Sequence, residues 1–455
     1  MSEEKHQLKG NSLGLWESIV MGIAGTAPAY SIAATTGVLI ATVGPLSALC
    51  LFYSGLIMFG VALAFMHLNR IHTHAGASYS WVGQVFHPIL GFFSGWSLLV
   101  ASTVFMVSGT VPASIATLAL IRPEYVNNPV IVSLVAACWL LLVSAVVIKG
   151  IKLSSYFQVT TTLVEITILA IIMGGALYTF SPNIMQSFSL EKLSMGKFTL
   201  HSFSEGALVA LFFFWGWDVT VNLSEETKNG ADNSGRGAVV SMVIVLLLFV
   251  SFIIVVQAGL TDLEIEAAGT NILLVLSQKI FSGPYNQIAL IAVLAVILST
   301  IGTLETTILQ FSRTMFAKGR DGILNPRYAT LHSEWKTPWL ATLTIMSIGL
   351  ILLLVAAFSS TVNDILLVSV KAIGFQVAFY YGLTSFACAW RFRHLARQDM
   401  KNFFLLICWP ILSGTVMSFV FLYSMFTFNL KTTVIGIGGI ALGVIPLVIN
   451  RRLRK

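Results

Sequence analysis

Charge is scarce in this chain of 455 residues. Asp, Glu, Lys and Arg together make up 10% of the sequence, whereas apolar residues make up 56%. A soluble domain of this length needs far more charge to cover its surface. Long apolar runs recur along the whole chain, so the scarcity excludes a soluble protein with one apolar tail and favours a single integral membrane domain.

Cysteine and the short motifs of enzymes are also scarce or missing. Four cysteines, without a CxxC pair, all lie in apolar segments and are predicted to pack as small apolar residues: Cys50, Cys138, Cys388 and Cys408. The sequence has no P-loop, no HExxH and no GxSxG motif. It therefore predicts neither an enzyme nor an ATP-driven pump, and no metal or other cofactor.

Twelve apolar stretches are each long enough to cross a membrane, which takes about 20 residues. Backbone polar groups in lipid must be satisfied within the segment, so we expect each stretch to be helical and the fold class to be all-α integral membrane. The predicted spans are 14–41, 45–68, 92–120, 129–148, 154–179, 202–224, 237–259, 285–316, 338–358, 363–389, 403–424 and 430–449.

The positive charges divide unequally between the two sides of these spans. With the N-terminus inside, 20 of the 26 Lys and Arg residues fall inside, five fall outside, and Lys371 lies within a span. An excess of Lys and Arg in cytoplasmic loops is typical of membrane proteins. The pattern predicts a multi-pass protein of the cytoplasmic membrane with both termini cytoplasmic, and it explains the net charge of +7 without a nucleic-acid partner.

Two of the predicted spans contain strong helix breakers. Gly22, Gly25 and Pro28 interrupt span one, and Gly216 interrupts span six among large aromatic side chains. Unwound backbone within a membrane is tolerated where it lines a cavity, and there it can bind solutes and ions. The alternative is that these residues form packing notches and a proline kink. Spans one and six correspond to each other in a five-plus-five inverted repeat.

Further motifs resemble the amino acid–polyamine–organocation (APC) permeases. DVTVNLSEETKN at 218–229 and RTMFAKGRDG at 313–322 match the family's acid and Glu-Glu-Thr after the aromatic stretch of span six, and its Arg-Asp-Gly after span eight. GTAP at 25–28 differs from the commoner Gly-Ser/Thr-Gly form and is similar to a bacterial amino acid permease subgroup that carries APAYS.

The resemblance covers essentially the whole chain and implies a LeuT-type fold, a five-plus-five inverted repeat plus two helices. The corresponding divisions are a cytoplasmic segment 1–13, a ten-helix transport core 14–389, two additional helices 390–449 and a basic tail 450–455. The resemblance also implies a secondary active transporter of amino acids that works by alternating access, with protons as the expected coupling ion. A polyamine or other organocation carrier or exchanger remains open, as does an ion channel or a solute sensor. The expected partners are a small amine or amino acid, protons and membrane lipid.

Solute is expected to bind near the middle of the membrane, between spans 1, 3, 6, 8 and 10. The amides near Ala24, Gly25 and Thr26 are predicted to take a carboxylate, if the solute has one, and Pro28 is predicted to line the same solute site. The second break is predicted to hold an amine with Phe214, Trp215, Gly216, Trp217 and Asp218. Phe214 and Trp217 flank the break most closely, although lipid-facing packing also explains such aromatics.

Ionisable residues within spans cost at least about 2.5–3.5 kcal/mol each and are functional candidates. Glu165 continues a polar stripe that includes Gln158 and Thr162 on span five. The resemblance puts it where many relatives carry a lysine that is thought to replace a coupling sodium ion. Burial favours the neutral form of a carboxylic acid. We predict that Glu165 is a proton site or an anchor for a cation; the alternative is a structural acid hydrogen-bonded to a neighbour.

The other charges within or beside the spans have two interpretations each. Asp218 either contacts the solute's amine or caps a half-helix, and Glu305 either adds a second proton-coupling acid or pairs with Lys371. Lys371 pairs with Asp364 or an acid of another helix, or holds a solute carboxylate. A polar face of span eight runs beside Glu305 and comprises Ser299, Thr303, Thr306, Gln310 and Arg313. Two further acids are predicted to form an inner gate or loop ion pairs with Lys228 or Arg236: Glu225 and Glu226.

Overall fold

The computed structural model describes residues 7–187, 195–358, 362–397 and 399–449, and these residues are almost entirely helical. Within them there is no β-strand, only an isolated bridge between Leu13 and Thr227. The α-helices are α1 (Leu15–Gly25), α2 (Pro28–Val43), α3 (Ser47–Ile71), α4 (Ser78–Val85), α5 (Pro88–Ile121), α6 (Pro129–Lys149), α7 (Ile151–Ser187), α8 (Leu200–Phe213), α9 (Val219–Asn222), α10 (Gly230–Gly259), α11 (Asp262–Ala268), α12 (Ile272–Ile280), α13 (Ile291–Arg320), α14 (Trp339–Ala356), α15 (Val362–Phe392), α16 (Met400–Phe403), α17 (Trp409–Thr427), α18 (Leu430–Thr433), α19 (Gly439–Ala441) and α20 (Val444–Ile449).

Ten helical runs in the described residues are long and apolar enough to cross a membrane, and the predicted all-α membrane class is therefore confirmed. The number differs from the twelve predicted spans for two reasons. Predicted spans one and two lie in one 57-residue run, and predicted span six contains the short helix α8. The ten runs are Leu15–Ile71, Pro88–Ile121, Pro129–Lys149, Ile151–Pro182, Gly230–Gly259, Gln287–Arg320, Trp339–Ala356, Leu367–Leu395, Met400–Thr427 and Leu430–Ile449.

Helix α13 forms the centre of the bundle. All of its residues from 299 to 319 are buried, and it packs against α1, α2, α5, α7 and α14. Helix α17 packs against α15 and α3, farther from that centre. The polar face of α13 is therefore turned towards other helices rather than towards lipid.

Two helices are interrupted inside the bundle. The first break, Thr26–Ala27, separates α1 from α2, and Ala27 has the left-handed backbone angle φ of 48°. The second break, residues 214–218, separates α8 from α9, and Gly216 has φ of 111°. Both lie where glycine and proline predicted them.

Residues 7–14 close one end of the bundle, which is called here the N-terminal end. Leu8 is buried among Ala75, Phe316 and Ala317. The backbone of Leu13 pairs with the segment after α9, where its amide donates to the Glu226 carbonyl oxygen at 3.2 Å. The N-terminal segment is thus part of the packed structure.

Candidate transport site

The two breaks contact each other directly. A Cβ atom added to Gly25 would collide with the carbonyl of Gly216, and one added to Gly216 would collide with the carbonyl of Gly25. Only glycine on both sides permits this approach of two backbones. The unwound segments, predicted separately from the sequence, therefore form one region at the centre of the bundle.

The amides of the first break are already hydrogen-bonded within the chain. The Thr26 amide donates to the Ile23 carbonyl at 3.1 Å, and the Ala27 amide donates to the Ala24 carbonyl at 3.0 Å. The Thr303 hydroxyl also donates to the Ala24 carbonyl, at 2.5 Å. The predicted carboxylate-binding backbone at Ala24 to Thr26 thus has its amides paired in this conformation.

Glu165 reaches the other side of the same break, at the N-terminus of α2. Pro28 has no amide hydrogen, and the Ala29 amide donates to Glu165 Oε1 at 2.9 Å. The Tyr30 amide donates to Ser299 Oγ at 3.2 Å. Glu165 is fully buried and is hydrogen-bonded to a neighbour, and that neighbour is the unwound region itself.

Asp218 is held by two tyrosines that the sequence analysis did not single out. Its Oδ2 accepts from the Tyr380 hydroxyl and its Oδ1 from the Tyr381 hydroxyl, both at 2.9 Å. The predicted cap is wrong, because Asp218 precedes α9 but makes no side-chain capping hydrogen bond. Adjacent tyrosines in an apolar span were the available signal, since a buried tyrosine hydroxyl usually finds a partner.

Four aromatic rings lie around the breaks, and they come from α2, α5, α8 and the second break. Tyr30 lies 6.4 Å from Phe105 and 6.3 Å from Phe212 between ring centroids, and Phe105 lies 5.6 Å from Trp215. The Trp215 indole Nε1 donates to the Tyr380 hydroxyl at 2.9 Å. We call Tyr30, Phe105, Phe212 and Trp215 the ring cluster.

The two aromatics that the sequence analysis favoured lie outside this cluster. Phe214 packs on Phe249 of α10, with ring centroids 5.7 Å apart. Trp217 contacts the ring of Phe65 edge to face and the ring of Tyr381 at a tilt. The preference for Phe214 and Trp217 as solute contacts stays a prediction.

A cleft approaches the ring cluster between α2, α5, α12 and α13. Tyr30, Ala33, Pro112, Ile115, Leu274 and Val296 are among its lining residues. Most of these side chains are apolar, and Tyr30 links the cleft to the first break.

Glu305 faces α7 rather than Lys371. The side-chain amide of Gln158 is oriented so that both its nitrogen and its oxygen find partners. Its nitrogen donates to the Gly302 carbonyl at 3.0 Å and to Glu305 Oε2 at 2.9 Å, and its oxygen accepts from the Thr162 hydroxyl at 3.0 Å. Glu305 Oε1 has no hydrogen-bond partner among the described residues. This acid is fully buried and is held by neutral groups.

Lys371 pairs with an acid of another helix. Its Nζ lies 3.0 Å from Glu205 Oε2 on α8, and its side chain is 37% exposed. The predicted alternative of a Glu305 partner is therefore wrong, and the side chain of Asp364 lies outside the described residues. Because Lys371 is paired and partly exposed, it needs no solute carboxylate to satisfy it.

Two ion pairs close the N-terminal end. Arg313 donates from Nε and Nη2 to the carboxylate of Glu226, both at 2.9 Å, and both side chains are fully buried. Arg320 donates to both oxygens of Glu225 at 2.8 Å. The predicted pairing of these acids is confirmed, but the predicted partners are wrong, since α13 rather than the neighbouring loop supplies the cations.

Comparison with known proteins agrees with this geometry. Residues 13–449 match the sequence profile of a family described as amino acid permease. The low-affinity putrescine importer PlaP of Escherichia coli (strain K12) is 25% identical over 360 residues, which cover 77% of this chain and 75% of that protein.

Two further relatives carry other solutes in their names. The b(0,+)-type amino acid transporter 1 of Mus musculus is 24% identical, over 71% of this chain and 64% of that protein. The branched-chain amino acid permease BcaP of Bacillus subtilis (strain 168) is 23% identical, over 72% of this chain and 71% of that protein. The family match spans nearly the whole chain, and it confirms the resemblance that the motifs indicated. The chain belongs to the amino acid permease family of the APC superfamily.

Proposed function

We propose that the chain is a secondary active transporter that carries a small amine-bearing solute, an amino acid or an organocation, by alternating access. The observation that carries this proposal is the contact of two broken helices at Gly25 and Gly216, beside buried acids and the ring cluster. Family membership supports it, as do relatives named for putrescine and for amino acids.

We further propose twelve crossings in a LeuT-type arrangement, with residues 14–389 as the transport core. The 57-residue run Leu15–Ile71 would be about 85 Å long as one helix, whereas the hydrocarbon core is about 30 Å thick. It therefore crosses twice, and α8 with α9 crosses once through the second break. The charge distribution supports cytoplasmic termini, which makes the N-terminal end the cytoplasmic end.

Proton coupling is the second part of the proposal, with Glu165 as the main site and Glu305 as the next. On α7, Ser154, Gln158, Thr162 and Glu165 recur at spacings of three and four residues and so share one face. Hydrogen bonds join Thr162 to Gln158 and Gln158 to Glu305. This polar line leads from the first break towards the cytoplasmic end, and bound water can bridge its gaps.

Reconstitution into proteoliposomes tests the transport function. Labelled amino acids, polyamines and simple amines are offered with and without an inward proton gradient. We expect saturable uptake and countertransport of at least one solute, and accumulation only with the gradient. If none is taken up or exchanged, the carrier proposal fails; currents above carrier rates would indicate a channel instead.

Glu165→Gln tests the coupling. The amide keeps an acceptor for Ala29 but cannot take up a proton, so gradient-driven accumulation is expected to disappear while exchange persists. Glu264→Gln is the matched control, because Glu264 is an exposed acid at 2.9 Å from Lys279 and far from both breaks in sequence. Accumulation by Glu165→Gln at the wild-type level would remove Glu165 from the coupling role.

A further inference from the structure

We propose that the solute is an organic cation without a carboxylate group, because the chain's own Glu165 fills the position that a solute carboxylate would take. This inference rests on the proposed transport function and narrows its substrate class to amines and diamines. It follows from the hydrogen bonds of the first break and from the distribution of charge around it.

The N-terminus of a broken helix is the usual place for an anionic group of a solute, since its amides and its dipole attract negative charge. In α2 the first turn offers no amide that lacks a partner. Pro28 has no amide hydrogen, Ala29 donates to Glu165, and Tyr30 donates to Ser299. The Ser31 amide donates to the Ala27 carbonyl at 2.7 Å. A solute carboxylate would have to displace the chain's carboxylate and remain beside it.

The charge around the breaks has one sign. In the described part of the chain, Glu165, Asp218 and Glu305 are all fully buried, and none has a Lys, Arg or His nitrogen within 4.0 Å. Their hydrogen-bond donors include a backbone amide, two tyrosines and a glutamine, all of them neutral. In their ionised forms, three acids without a paired cation attract a cation and repel a carboxylate.

Three cationic side chains of α13 and α15 are held by other groups. Arg313 is paired with Glu226, and Lys371 is paired with Glu205. Lys318 lies five residues after Arg313 on α13, at the N-terminal end, where its Nζ donates to the Phe92 carbonyl at 2.9 Å. Among the described residues, none of these three cations is left without a partner to hold a solute carboxylate.

The ring cluster suits a cation. Tyr30 follows Ala29 directly, so the cluster begins next to the amide that Glu165 binds. Faces of tyrosine, tryptophan and phenylalanine attract ammonium groups, most strongly where water is excluded. A protonated amine between these rings would have aromatic faces around it and carboxyl groups at both breaks.

Matched pairs of solutes that differ only in the carboxylate provide the test. Full-length protein in proteoliposomes is offered 1,4-diaminobutane against ornithine, 1,5-diaminopentane against lysine, isobutylamine against valine and phenethylamine against phenylalanine. Initial uptake and countertransport are measured for each. We expect at least one amine to be transported with at least tenfold higher kcat/KM than its amino acid.

The outcomes separate this inference from the function on which it rests. An amino acid transported as well as its amine, or better, would overturn the inference and leave the carrier function standing. Transport of neither member of any pair, with no uptake of other amino acids or amines, would overturn both.

The variant Glu165→Gln provides a second test, because it should change the preference of the transporter for amines over amino acids. Removing the charge while keeping an acceptor for Ala29 should shift the amine-to-amino-acid ratio at least tenfold towards the amino acid, measured by exchange so that coupling does not enter. Glu264→Gln should leave the ratio unchanged. An unchanged ratio in a folded Glu165→Gln protein would contradict the role of Glu165; if that variant does not fold, the wild-type pairs still decide.

Discussion

The acids at the N-terminal end and the buried acids at the centre are held in opposite ways. Glu225 and Glu226 each face an arginine through two hydrogen bonds, whereas Glu165 and Asp218 accept only from neutral donors. A buried ion pair fixes both charges, because neither partner can be left alone without a large penalty. Neutral donors leave an acid able to change its charge or to meet a cation. The difference separates acids that close the structure from acids for which we propose a role in transport.

The largest expected effect on stability is at the fully buried ion pair of Glu226 and Arg313. Glu226→Gln should lower the free energy of unfolding by about 3–5 kcal/mol, because Arg313 is left buried without a compensating charge. The measurement is chemical or thermal unfolding in detergent. Glu226→Leu combined with Arg313→Met should recover most of the loss, since replacing both charges by apolar groups removes the uncompensated one. A loss below about 1 kcal/mol for Glu226→Gln would contradict a structural role for the pair.

The next largest expected effect on stability concerns Asp218, which is held by the hydroxyl groups of Tyr380 and Tyr381. Tyr381→Phe removes one hydrogen bond to Asp218 and should lower the free energy of unfolding by about 1–3 kcal/mol. Tyr380→Phe should cost more, because it also leaves the Trp215 indole without its acceptor. Both are measured under the conditions used for Glu226→Gln. If Tyr381→Phe destabilises as strongly as Glu226→Gln, the two classes of acid are not distinct.

The sequence predicted features that depend on one residue and its immediate surroundings. Glycine and proline located both breaks, and single charges in apolar spans identified Glu165, Asp218 and Glu305 as buried acids. The polar face of span eight is also confirmed, since Ser299 and Thr303 contact the first break and Arg313 contacts Glu226. Local chemistry was sufficient for these features because each follows from the cost of a polar group in an apolar helix.

Pairings between helices could not be predicted in the same way. Lys228 and Arg236 were chosen as partners of Glu225 and Glu226 because they lie near in sequence, but α13 supplies cations that are 87 and 95 residues away. The partner of Lys371 is 166 residues away. Hydropathy gives the length of a span and not its neighbours, so the contact of Gly25 with Gly216 also required the structure.

The smallest expected effect on stability is at the partly exposed ion pair of Glu225 and Arg320, and this effect depends on pH. Burial alone would raise the pKa of Glu225, but the hydrogen bond and charge of Arg320 outweigh burial and lower this pKa below its ordinary value of 4.5. Because the pKa is lower in the folded protein, the pair contributes its full stability above about pH 4.5 and loses it as the pH falls further. Glu225→Gln should therefore reduce the free energy of unfolding by about 1 kcal/mol or less at pH 7. The difference from wild type should shrink when unfolding is measured below the folded pKa. A difference that grows on acidification would show that Arg320 does not stabilise the charged form of Glu225, and the closed end would then owe its stability to the Glu226–Arg313 pair.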